Sequence, residues 1–78
     1  MSPTESRVIS ALQAVFENKG QAAPTLTPDT ALDGSLGLES LDFAELVVRL
    51  ELELGKDPFA TDAVPPASTV RELAALYD

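Results

Sequence analysis

Apolar residues recur along the first part of the chain at three- and four-residue spacing: Val8, Ile9, Leu12, Val15 and Phe16, with Ser6, Ser10, Gln13 and Glu17 on the other side. That period predicts an amphipathic helix. Its start is spelled by Ser2 as a hydroxyl cap, Pro3 at the first helical position, where a missing N–H costs nothing, and Glu5 three residues after the cap. Asn18 and Gly20 provide a stop. From Gly20 to Glu39 the helical period disappears into a run rich in Pro, Thr, Asp and Gly. Structureless loops longer than about 12 to 15 residues are uncommon in compact domains and tend to be functional. Leu26, Leu32, Leu36 and Leu38 are the side chains able to pin this one to a core.

Periodicity returns from Ser40 to Leu54, with Gly55 as the stop. On a wheel of about 100° per residue, Phe43, Leu46, Val47, Leu50 and Leu54 share one face, which is the expected core face. A second apolar line, Leu41, Ala44, Val48 and Leu52, runs roughly opposite, bordered by Asp42, Glu45 and Arg49 on one side and Glu51 on the other. A helix apolar on two faces is either sandwiched or sticky. Asp57-Pro58-Phe59 opens a short segment to Val64, read as one helical turn closed by Pro65-Pro66. Thr69 and Glu72 then repeat the capping-box spacing ahead of Val70, Leu73, Ala74, Leu76 and Tyr77, a short last helix. The expected fold is all-α, a small four-helix bundle of three principal helices plus one short one, as a single domain over residues 1–78. Gln13, Glu17 and Arg71 read as solvated faces, and Tyr77 as a terminal packing residue with a wet hydroxyl.

Composition narrows the chemistry. Among 78 residues there is no histidine and no cysteine, so no imidazole acid–base group, thiolate nucleophile, Cys/His zinc site or disulfide is available. An autonomous enzyme is not expected, and a domain of this size, burying only about 60% of its extended surface, leaves little room for a deep cleft. Thirteen acidic against five basic side chains give a net charge of −8, which repels nucleic-acid phosphates and anionic lipid and selects basic partners. With 45% apolar residues the chain is nonetheless hydrophobic enough to fold. The N-terminal residues carry neither a basic n-region nor an apolar h-region, and no apolar run approaches a membrane span. A monomeric cytoplasmic protein with no nucleic-acid or membrane partner is the expectation.

The unusual features converge on Leu36-Gly37-Leu38-Glu39-Ser40-Leu41-Asp42, where a long loop delivers a serine to the first turn of a helix with an outward apolar stripe. Taken alone, Ser40 reads as an N-cap. The run from Leu36 to Glu53, LGLESLDFAELVVRLELE, resembles the modification-site region of acyl carrier proteins, whose usual form is a Gly-Leu-Asp-Ser-Leu core followed by an amphipathic helix. The likeness extends to the first helix, the long first loop and the Thr69-Val70 helix start. It implies a four-helix carrier domain, itself non-catalytic, in which a separate phosphopantetheinyl transferase esterifies Ser40 with 4'-phosphopantetheine. It also implies that Leu41, Asp42, Glu45 and Val48 face partners, namely the transferase and the acyl-loading and acyl-processing enzymes with basic docking surfaces; Glu39 beside the serine and Leu52 on the same apolar stripe are read as partner-facing with them. The cargo would be acyl or related intermediates held as thioesters for fatty-acid, polyketide or nonribosomal peptide type biosynthesis. Two departures stand out: Glu39 takes the place of the usual Asp, and Arg49 and Leu52 interrupt a helix that is more continuously acidic in many fatty-acid carriers, which favours a specialised pathway.

Two other readings compete. Asp29, Asp33 and Gly34 mimic the first half of a calcium loop, but Ala31 offers no side-chain oxygen at the third position and Ser40 stands where the bidentate glutamate belongs, so no metal site is expected. An acidic helical adaptor that docks a partner through the Leu41/Val48/Leu52 stripe, with no prosthetic group, is the alternative function.

Overall fold

The computed structural model of the protein describes residues 1–55 and 68–77. Three helices follow one another: α1 (Pro3–Asn18), α2 (Ser40–Leu54) and α3 (Val70–Tyr77), with a 3-10 turn at Gly34–Leu36. The all-α expectation holds as three helices plus this turn; the short helix expected between Asp57 and Val64 lies outside the described residues.

Helix α1 starts as its sequence demands. The Glu5 N–H donates to Ser2 Oγ at 3.1 Å and the Ser2 N–H donates to Glu5 Oε1 at 2.7 Å, so two of the orphan donors of the first turn are satisfied reciprocally. Its apolar stripe, Val8, Leu12, Val15 and Phe16, is buried, and both α2 and α3 pack against it. Leu46 and Leu50 come from α2, Val70, Leu73 and Ala74 from α3, and Leu38 from the loop. Burial of each large aliphatic side chain contributes about 1.5–3 kcal/mol. Tyr77 belongs to this core at 4% exposure, and its hydroxyl is buried rather than wet, because α3 presents that residue to α1 on the same stripe as Val70 and Leu73.

The long loop is held by more than its leucines. Leu38 is buried and Leu26 and Leu32 pack partly against the core, but the backbone also bonds to the entry of α3. Leu32 N–H donates to Ser68 O at 2.9 Å, Val70 N–H to Thr30 O at 3.1 Å and Arg71 N–H to Pro28 O at 2.8 Å, forming an isolated antiparallel bridge between Ala31 and Thr69. Arg71 lies on an exposed face as expected, and there its side chain pairs with Asp29 of the loop and approaches Glu5 of α1 at 3.7 Å. The expected Thr69/Glu72 box is half formed. The Glu72 N–H donates to Thr69 Oγ1 at 3.2 Å, while the Glu72 carboxylate reaches one residue further back, accepting from Ser68 N–H and Oγ–H at 2.9 and 2.8 Å. A serine there offers two donors to one carboxylate oxygen, against the single N–H of Thr69.

Candidate functional site

The loop ends on a left-handed residue. Gly37 has φ +88°, a conformation L side chains rarely adopt, and its N–H closes the 3-10 turn on Gly34 O at 3.1 Å. Leu38 then drops into the core and Glu39, extended, occupies the cap position of α2. Ser40 is consequently the first residue of the helix and not its cap, because Asp42 already accepts the Glu39 N–H at 3.0 Å. The Ser40 side chain is exposed, and among the described residues its hydroxyl makes no hydrogen bond.

The second face of α2 is open. Leu41 is 80% exposed, Val48 53% and Leu52 82%, three large aliphatic side chains in a line that begins one residue after Ser40 and extends about 16 Å at 1.5 Å per residue. Beside it stands Glu45, half exposed, which accepts from Arg49 Nε at 3.3 Å and, more weakly, from Asn18 Nδ2 at 3.5 Å. Glu39 is exposed at the head of the helix. Asp42 is different: its side chain is only 15% exposed and meets Lys19 Nζ at 2.7 Å. The Lys19 ammonium beside it, followed by the Glu39 N–H, holds the Asp42 carboxyl below its ordinary value. Leu41, Glu45, Val48 and Leu52 thus share one accessible face of α2, with the exposed Glu39 and Ser40 at its head and Asp42 turned toward Lys19 at the end of α1.

Lys19 carries no weight in the sequence reading. It caps the C-terminus of α1, lies over the Phe16 ring with its Nζ 5.6 Å from the ring centroid, and donates to Gly37 O at 2.9 Å as well as to Asp42. Its signals were its scarcity, as one of five basic residues, and its position at the close of a helix facing a loop rich in carbonyls. The two aspartates of the calcium-like spacing are otherwise occupied: Asp29 pairs with Arg71, and Asp33 accepts from the Ser35 N–H at 2.9 Å and from the Ser35 hydroxyl. Those Ser35 bonds, the hydroxyl's first, hold the Asp33 carboxyl low.

Among the described residues no helix is long and apolar enough to cross a membrane, and no cluster of three or more acidic side chains is placed to hold a metal. No curated protein and no solved structure matches the chain. One family does: residues 6–77 match the phosphopantetheine attachment site.

Proposed function

We propose, from the premise that this chain belongs to the phosphopantetheine attachment site family, that Ser40 is the residue bearing the group and that the protein is an acyl carrier. The family carries a covalently bound 4'-phosphopantetheine. The observation that supports Ser40 is its state: an exposed first-turn hydroxyl with no hydrogen bond among the described residues, at the head of the exposed stripe. The other described serines are placed differently. Ser2 caps α1, Ser35 bonds Asp33, Ser68 bonds Glu72, and Ser6 and Ser10 lie within α1.

The residues at hand fit a phosphodiester. An anion on the first residue of α2 lies beside backbone N–H groups that have no intrahelical partner and at the positive end of the helix dipole, an effect of about 0.3–1 kcal/mol at an exposed site. Attachment forms a bond from Ser40 Oγ to phosphorus while the pyrophosphate link of coenzyme A breaks; adenosine 3',5'-bisphosphate leaves with the electron pair, and the hydroxyl proton passes to the transferase or to water. When bound, the group supplies a terminal thiol on which acyl intermediates ride as thioesters, chemistry that a chain without cysteine does not itself contain. The chain's own part is to present Ser40 and to be recognised. Leu41, Val48 and Leu52 fit an apolar groove flanked by Lys or Arg that pair with Glu39, Glu45 and, where Lys19 yields it, Asp42. Electrostatic steering sets the encounter rate and the apolar contacts set residence time. The natural partners are a phosphopantetheinyl transferase and acyl-loading and acyl-processing enzymes of fatty-acid, polyketide or nonribosomal peptide type biosynthesis, with the interrupted acidity at Arg49 and Leu52 favouring a specialised pathway.

The test is intact mass after incubation with coenzyme A, magnesium and a broad-specificity transferase. Wild-type protein should gain one arm. Ser40→Ala should gain none and keep its stability within about 0.5 kcal/mol, as expected of an exposed side chain with no bond to lose; an arm on that variant refutes the assignment.

A further inference from the structure

Among the described residues Ser40 has no side-chain bond to set its position, so the geometry it offers to an incoming phosphorus is that of its backbone. That backbone is gripped on both sides by one side chain. Gly37, three residues before the serine, gives its carbonyl to Lys19 Nζ at 2.9 Å, and Asp42, two residues after, gives its carboxylate to the same nitrogen at 2.7 Å. Asp42 in turn accepts the N–H of Glu39 at 3.0 Å, closing a ring of contacts around the peptide units that carry Ser40. The ammonium is anchored from behind, since Lys19 ends α1 and lies over the buried Phe16 ring, and the lysine side chain is only 20% exposed.

Resting on the attachment reading above, we infer that Lys19 is a positioning residue for modification of Ser40: it ties the end of α1 to the loop and to the first turn of α2, and so holds the serine at a fixed angle to an approaching transferase. A partly exposed ion pair contributes little to global stability, whereas misplacement of a reacting atom by about 1 Å can cost on the order of a hundredfold in rate. The charge argument makes the inference easy to separate from a simpler one. Removing Lys19 makes the protein more negative and frees Asp42, so a basic transferase should meet it faster and hold it no less tightly. If Lys19 acted only through charge, its loss would improve modification. If it positions Ser40, its loss slows the transfer step despite better attraction.

The experiment measures arm transfer from coenzyme A by a phosphopantetheinyl transferase, under saturating and limiting carrier, for the 78-residue chain and for its Lys19→Met, Lys19→Arg, Arg71→Met and Ser40→Ala variants. Arg71→Met breaks pairs with Asp29 and Glu5, away from Ser40, and controls for general loosening. Lys19→Met should lower kcat about tenfold or more with KM unchanged or reduced, Lys19→Arg should recover to within about threefold of wild type by donating to the same two oxygens, and Arg71→Met should keep the wild-type kcat. A wild-type or faster kcat in Lys19→Met, or an equal loss in Arg71→Met, overturns the inference while Ser40→Ala remaining inert leaves the attachment reading standing. Modification of Ser40→Ala would instead sink that reading.

Discussion

At the scale of single residues, Asp42 does work for which the wheel gives no hint. Its carboxylate closes the helix start on the Glu39 N–H and meets Lys19, and both bonds favour the charged form, the Lys19 bond more. A carboxyl held below its ordinary value of 3.8 in the folded protein contributes stability that is complete above that value and is lost as pH falls through the lowered one. Asp33, held low by Ser35, and Glu72, held low from an ordinary 4.5 by the backbone and then the side chain of Ser68, add in the same sense and the same acid window. Asp42→Asn should therefore be less stable than wild type at neutral pH and approach it well below 3.8, as followed by urea denaturation across that range. A gap that stays constant would show that Asp42 acts through shape and not through its charge.

At the scale of elements, the two faces of α2 make opposite demands. Leu50 is fully buried, so Leu50→Ala should cost about 2–5 kcal/mol, while Val48→Ala, at 53% exposure, should stay within about 0.5 kcal/mol and instead speed release from the transferase. A large loss in Val48→Ala, read by denaturant midpoint, would mean that the stripe is part of the core. The stripe and the core face were legible because both follow from a period of 3.6 and need no knowledge of the neighbours. For the same reason the α1 cap was visible: Ser2, Pro3 and Glu5 act within one turn. What the period does not contain is the destination of long side chains and of the loop backbone. Lys19 reaches Gly37 and Asp42 only because α1 and α2 pack, and Ser40 moves from cap to first helical residue because Glu39 takes the cap position with its N–H held by Asp42. The Glu72 carboxylate likewise chose Ser68 over Thr69, a competition between adjacent donors that spacing alone does not resolve.

At the scale of the whole molecule, charge is in excess and poorly offset. The ion pairs of the described residues engage Glu5, Asp29, Asp42 and Glu45, and the last turn of α2 holds Glu51 and Glu53 and no basic residue. With a net charge of −8 on 78 residues, added salt near neutral pH should screen the repulsion and raise the melting temperature. A falling trend would mean that the few favourable pairs outweigh it. The bridge between Ala31 and Thr69 bears on a different property, the order in which the chain assembles. It joins residues separated by roughly half the sequence, so its closure entropy must be met before its hydrogen bonds form, whereas the turns of α1 close locally. The bonds between the loop and the entry of α3 therefore form later than the local turns of α1. Amide exchange should register this as shared protection: the N–H groups of Leu32 and Val70, bonded across the bridge, should open together and with the same denaturant dependence, and a Leu32 amide that exchanges far faster than Val70 would show the loop to come away from α3 on its own.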